Sequence, residues 1–422
     1  MKAVKFVLLI VGVLVLGQTL QWDVLDTLAL ALGAILIGSF VWSALSLRGV
    51  HASRSMAGSR GQVGQIFTER LSVENRSLLG KLWVEVIDES DLPEHDPGRV
   101  VHLGRHATQT WDVATLCSRR GQFRLGPLAL RSGDPLGLFP AMQRMPETRE
   151  VVIYPAMVGL HRATPPKALL DGGTTVDRRS MVVTPNVSGI RDYAPGDPTN
   201  RISWGQTARR GRLIVKEFDQ DQTADVWLVL DLESVVHRQA DHPLSVVPNA
   251  QGDWPVEAWL DSTTEVAVTV VASLAREFLA EGRSVGLIAT GRRLQTLPPE
   301  RGDRQLTKLL ETLAVVHADG TLPVGEVLLA EASRFTRQQG LVVVTPSPGQ
   351  QWVGALAELK ERRTSASVVL IDASTFAVAP TTSDTKHRLL FAGIPTTTVE
   401  YGESLAAALS DVSAGPQRAG RR

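Results

Sequence analysis

Two uncharged apolar runs open the chain. No charge falls between Phe6 and Trp22 or between Thr27 and Leu47, and each run has about the 20 residues that cross a bilayer core. Neither carries an amphipathic stripe, so both are apolar all round, as a membrane span is. The pattern predicts a transmembrane helical hairpin over residues 1–47, in contact with the lipid bilayer through residues 6–47. A cleaved leader would account for the first run alone; the second is too long and lacks a small-residue cleavage pattern. Lys2 and Lys5 precede the hairpin, Arg48, Arg54 and Arg60 follow it, and the connector holds Asp23 and Asp26. By the positive-inside rule both ends then face the cytoplasm, which implies an inner (cytoplasmic) membrane protein with its soluble domains on that side.

Beyond a Gly, Ser and Arg-rich stretch read as a linker (48–64), the period changes to two. FTERLSVENRSL and LWVEVID alternate apolar with polar positions, and turn formers such as SDLPEHDPG divide them. RRGQFRLGPLALRSGDPLGLF and VVIYP continue the pattern, which predicts an all-β sandwich over residues 60–158. Residues 161–180 form a Pro/Gly-rich linker. From residue 226 continuous apolar runs take over: VWLVLD, VGLIAT, LVVVT and SVVLID. Helical stretches stand between them, Thr264 to Glu281, Asp303 to His317 and Trp352 to Arg363. Such alternation predicts a doubly wound α/β domain within 181–410, its parallel sheet covered on both faces and its ligands received at the carboxyl ends of the strands. Residues 411–422 read as a disordered basic tail.

Composition adds limits. With 44 basic and 44 acidic residues the formal net charge is zero, so no global field recruits nucleic acid. The single Cys, Cys117, excludes an internal disulfide framework and is expected in the core. The chain contains no Gly-x-x-x-x-Gly-Lys-Ser/Thr loop, no His-Glu-x-x-His and no Cys-x-x-Cys. His102 and His106 stand four apart, which on strands does not bring two ligands together.

The segment RDYAPGDPTNRISWGQTARRGRLIVKEFDQD, just before VWLVLD, is dense in charge. It resembles the signature of the bacterial membrane-associated family known as domain of unknown function 58. The matching positions are Arg191, Tyr193, Pro195, Gly196, Asp197, Arg201, Ile202, Trp204, Ala208, Arg209, Val215, Glu217 and Phe218. Ser203 and Gly205 depart from the Asp and Lys that usually flank the Trp. The resemblance implies a von Willebrand factor A-like fold for the α/β domain and a partner among the MoxR-type AAA+ ATPases, with other membrane or envelope proteins as further contacts. It also directs attention to Asp231, where the related fold places an Asp-x-Ser-x-Ser metal site for Mg²⁺. Here Glu233 and Val235 replace the two hydroxyls, and Val offers no ligand; Thr290 is the remaining candidate. No cofactor is expected.

Residue chemistry leaves two accounts of the signature open. Arg191, Arg201 and Arg209 suit pairing with Asp192, Asp197 and Glu217, with Asp197 capping a short helix and Trp204 and Phe218 packed beneath, which makes a charge-latched cap. Alternatively the segment is a docking surface. The functional expectation is a membrane-anchored, non-enzymatic adaptor or assembly factor. Two alternatives are a divalent-metal-dependent hydrolase using Asp192, Asp197 and Glu217, and a metal-dependent adhesion-type binding module.

Overall fold

Both apolar runs form helices in the computed structural model: α1 (Lys2–Leu20) and α2 (Asp23–Ser46). They are long and apolar enough to cross a membrane, and only 6% and 17% of their most apolar stretches is buried. Side chains so apolar and so uncovered suit a lipid environment rather than water. The structure describes residues 2–160, 187–194, 202–218, 225–242, 244, 248, 254–335, 339–362 and 364–410. The predicted linker at 161–180 and tail at 411–422 lie outside them.

The chain folds as two units, the first built from residues up to 158 with parts of 242–261 and 310–316. Besides α1 and α2 it contains β1 (Val50–Met56), β2 (Arg60–Gln62), β3 (Ile66–Asn75), β4 (Lys81–Asp88), β5 (Arg99–Leu103), β6 (Thr108–Leu116), β7 (Gly121–Leu125), β8 (Leu128–Gly133), β9 (Pro140–Met145) and β10 (Arg149–Tyr154). They form sheets of order β1-β3-β6, β2-β10-β7 and β5-β4-β8-β9. Alternation does what the sequence pattern implies: Leu71 and Val73 of β3, Val84 and Val86 of β4, and Leu128 and Leu130 of β8 enter one shared core. Cys117 is buried in a second, smaller core, and burial pushes its thiol up.

Residues 48–64 are not a linker. β1 pairs antiparallel with β3 over its whole length, Val50 opposite Asn75 and Met56 opposite Glu69. The polar composition hid this strand because one inward position is Arg54, whose side chain is only 5% exposed. Arg54 is therefore an interior charge and does not mark the membrane flank.

The second unit holds β11 (Val187–Asp192), α3 (Trp204–Arg210) and β12 (Ile214–Phe218), then β13 (Val226–Leu230), α4 (Thr263–Ala280), β14 (Val285–Thr290), β15 (Leu294–Glu300), α5 (Asp303–Val315), α6 (Val324–Ala330), β16 (Gly340–Thr345), α7 (Gln351–Glu361), β17 (Ser365–Ile371), α8 (Ser383–Phe391), β18 (Thr396–Val399) and α9 (Leu405–Ser410). Six strands make one sheet of order β15-β14-β13-β16-β17-β18. β15 is antiparallel to its neighbour and the rest are parallel. The edge strand β15 carries Pro298 and Pro299, and an edge tolerates their missing N–H groups. β13, β14 and β16 are buried at every residue, which is why they read as unbroken apolar runs. α4 is buried over most of its surface and starts at Ser262, whose Oγ accepts the Glu265 N–H at 3.2 Å, a cap contributing about 1 kcal/mol.

Candidate functional site

Chain order reverses between β13 and β16, and that is where an open α/β sheet receives ligands. Asp231 follows β13 there and is fully buried. Its Oδ2 accepts the Thr345 hydroxyl at 2.6 Å and its Oδ1 accepts the Glu233 N–H at 3.0 Å. Burial pushes the Asp231 carboxyl up to about 6, against these hydrogen bonds. Burial, with the charge of Glu326, raises Glu233 too. Thr290 is not a spare ligand: its Oγ1 accepts the Leu232 N–H at 2.8 Å and donates to the Leu230 carbonyl at 3.3 Å. Val235 is 65% exposed and offers no donor atom.

The floor of this locus is backbone. Gly320 donates to the Leu232 carbonyl and accepts from the Ser234 N–H, both at 2.9 Å. A Cβ at Gly320 would stand 2.1 Å from the Thr290 carbonyl oxygen, so only glycine fits. Behind the strand end, His237 Nε2 donates to the Asp231 carbonyl at 2.9 Å, which leaves Nδ1 to accept from Thr263 Oγ1 at 3.0 Å. Burial lowers this ring to about 4, so it is neutral at physiological pH. Both its nitrogens are spent on structure.

The donor set does not fit Mg²⁺. A hard cation needs several oxygens turned toward it, yet both oxygens of Asp231 are engaged internally and the two following ligand positions are a partly buried Glu and a Val. Millimolar Mg²⁺ is expected to leave the unfolding temperature of the purified chain unchanged, whereas a ligand present at 100 times its Kd adds about 2.7 kcal/mol. An upward shift abolished by Asp231→Ala would establish a site after all. Sequence reading missed Thr345 and His237; the polar last residue of the apolar run LVVVT was the available signal for the first.

The signature segment is only partly described. Gly196, Asp197 and Arg201 lie outside the described residues, and for Arg191 and Glu217 the structure gives strand position alone. β11 and β12 pair antiparallel, Asp192 opposite Ile214 and Gly189 opposite Glu217. The register thus separates positions 192 and 217 by three residues, about 10 Å along the ribbon, so these two strands do not bring Asp192 and Glu217 to one metal. Asp192 Oδ2 instead accepts from Arg212 at 2.8 Å, an exposed ion pair with a residue that is not among the matching signature positions. Tyr193 is partly buried and its N–H reaches the Leu213 carbonyl at 3.0 Å.

Trp204 does not pack beneath a cap. It begins α3, a helix with no buried residue, and is 66% exposed. The helix begins after Ser203, which makes no side-chain capping bond, and ends at Gly211 with φ +67°. Arg209 and Arg210 occupy its last turn, where cations suit the helix dipole, and both are exposed.

A third locus had no sequence signal. In the β-sheet unit Glu69, Asp88 and His95 bring ligand-type atoms within 4.8 Å of one another, but Arg54 already stands between the acids. Its Nε lies 2.7 Å from Glu69 Oε2 and its Nη2 2.5 Å from Asp88 Oδ2. His95 Nε2 lies 3.1 Å from Asp88 Oδ2 and 3.3 Å from Glu69 Oε1, while Nδ1 meets Thr115 Oγ1 at 2.7 Å. Although burial opposes it, the two carboxylates raise His95 to about 9. A protonated imidazole does not ligate, and two cations against two anions close the charge balance. This is an internal ion network, not a metal centre.

Comparisons with known proteins bear on the first two loci. Residues 189–241, which carry the signature and the Asp231 strand end, match the family model described as "Protein of unknown function DUF58". A curated relative, "Uncharacterized protein YeaD" of Bacillus subtilis (strain 168), is 24% identical over 242 residues, 57% of this chain and 54% of that protein. The chain thus spans about half the length of the relative it matches. Solved structures similar over 25% of the chain include the CARDB domain of PF1109 from Pyrococcus furiosus, at 12% identity, 94% of that chain and TM-score 0.19, and a beta-glucosidase from Listeria innocua, at 10% identity, 16% of that chain and TM-score 0.18. The family match across the signature and strand end, together with the Bacillus relative, supports the DUF58 family for this chain.

Proposed function

We propose that the chain is a membrane-anchored, non-enzymatic adaptor that acts through protein contacts, with a MoxR-type AAA+ ATPase as its partner. The exposed Trp204 carries this reading. A Trp with two-thirds of its surface in water stands on a helix that also presents Arg209 and Arg210. Trp and Arg are the residues that most often dominate the energetics of protein interfaces. The strand order of the large sheet, with its one antiparallel edge, favours a von Willebrand factor A-like fold for this unit. At the strand end Asp231, Thr345 and His237 are engaged with one another and the backbone, which favours a binding frame over a reaction centre. The basic residues Lys2, Lys5 and Arg48 at the two ends of the hairpin support an inner-membrane anchor with both units toward the cytoplasm.

The test compares what co-purifies from solubilised membranes with the wild-type chain and with Trp204→Ala and Arg209→Ala. Both variants are expected to unfold at the wild-type temperature, because neither side chain is buried, and to lose the ATPase from the eluate. Equal recovery of the ATPase with all three chains would remove α3 from the interface and leave the adaptor reading without its main support.

A further inference from the structure

The short motif DPLGLF, residues 134–139, has no part in any of these three loci, yet the fold shapes it closely. Asp134 is buried, and its carboxylate accepts the N–H of Leu136 at 3.0 Å and of Phe139 at 2.7 Å. Burial raises this carboxyl, but the backbone donors outweigh it and hold it below the usual carboxylate range. Gly137 completes the turn at φ +66°, in the left-handed region. The result is a preformed loop between β8 and β9 whose tip, Leu136, is 57% exposed.

That loop is fastened to α2. Ser43 Oγ donates to the Phe139 carbonyl at 2.8 Å, and the Phe139 ring meets Phe40 edge-on at 5.6 Å between centroids. The level of this contact follows from helix geometry. Phe40 lies about 28 Å of helix beyond the turn at Gln21 and Trp22, and Lys2 and Lys5 lie about as far from it on α1. A hydrocarbon core is about 30 Å thick, so Phe40 and Phe139 stand at its edge, level with the amino-terminal lysines. A second turn is held about 8 Å farther along α2: Arg76 N–H donates to the Gly49 carbonyl at 2.8 Å, and Lys81 Nζ donates to the Leu45 carbonyl at 2.7 Å, capping the end of the helix. Its tip is Leu78 and Leu79, 70% and 55% exposed. Between α2 and β9 an open cleft of about 680 Å³ is lined mainly by apolar residues, Phe40, Ala44, Leu47, Phe139 and Met142 among them, with Arg48 and Gln143 at it as well.

We propose that these two loop tips insert into the interfacial layer of the same bilayer that α1 and α2 cross, so that the β-sheet unit is seated on lipid. The inference rests on the membrane-spanning reading of the helices. Apolar tips this exposed are costly in water and favourable in an interface, and Arg48, exposed just past α2, is placed to meet lipid phosphates.

The test places bimane on single cysteines at Leu79→Cys, Leu136→Cys and, as control, Ile66→Cys in the full chain. Ile66 is equally apolar and 66% exposed, but it begins β3, whose other end, Asn75, is the one paired with Val50 just after α2. Native Cys117 is buried, so the wild-type chain serves as the labelling blank. The chains are reconstituted in phosphatidylcholine–phosphatidylglycerol nanodiscs with and without a nitroxide-headgroup lipid. Positions 79 and 136 are expected to lose most of their emission to the nitroxide lipid and little to aqueous iodide, and position 66 the reverse. Equal iodide quenching at all three positions overturns the proposal, and so does shielding of 79 and 136 from both quenchers, which would mean that protein covers them. A chain that stays soluble without lipid or detergent and does not enter nanodiscs overturns the spanning reading as well, and is seen before any probe is read.

Discussion

Arg54→Ala is expected to destabilise the β-sheet unit by about 3 to 5 kcal/mol, the usual result of removing one partner from a buried ion pair. The substitution leaves Glu69 and Asp88 against His95 alone, with side chains at most 2% exposed. A domain is stable by only about 5–15 kcal/mol, so the loss is easily read in thermal or denaturant unfolding of the chain in detergent. Arg70→Ala, which breaks an ion pair exposed on both sides, is the control and is expected to be silent. If Arg54→Ala unfolds like wild type, the network is not holding charge in the interior.

The same network predicts a pH window. His95 is raised from 6.5 to about 9 in the fold, so its contribution is complete below pH 6.5 and is lost as pH rises through about 9. The loss amounts to about 3 kcal/mol. His95→Gln should flatten the stability profile across that window, costing most below pH 6.5 and least above about pH 9.

The second large effect runs in the opposite direction. Asp231 is raised from 3.8 to about 6, so the fold favours its neutral form: stability is complete below pH 3.8 and declines as pH rises through about 6. At pH 7 the ionised carboxylate then costs about 3 kcal/mol. Asp231→Asn keeps an acceptor for the Glu233 N–H and offers a donor to Thr345, so it is expected to stabilise the chain at pH 7 by about 1–3 kcal/mol and to give no gain at pH 4. Destabilisation by Asp231→Asn at pH 7 would show that the charge is compensated, by a cation or by a partner, and that the strand end works ionised.

Much of the frame was legible because burial writes directly into residue order. β13, β14 and β16 are covered on both faces and had to be continuously apolar, and β3 and β4 are covered mainly on one face and had to alternate. Asp231 was legible as the first polar residue after the first parallel strand. Thr345 was not, because it meets Asp231 from 114 residues away, across a pairing of strands that no local period specifies. β1 was missed for a related reason: its inward Arg54 breaks the apolar alternation, and the Asp88 that makes this tolerable is 34 residues distant.

By itself the sequence determined the change from alternating to continuous apolar strands, the long helices between the latter, the two helices apolar enough for a membrane and the polar residue that ends the first parallel strand, since each depends on which side of a local segment is apolar. Tertiary structure alone decided which charges are paired inside, that Trp204 stands in water instead of under a cap, that β11 and β12 hold Asp192 and Glu217 apart, and that DPLGLF lies against α2. Those outcomes depend on which distant segments meet and in what register, and a residue's chemistry is set by that meeting.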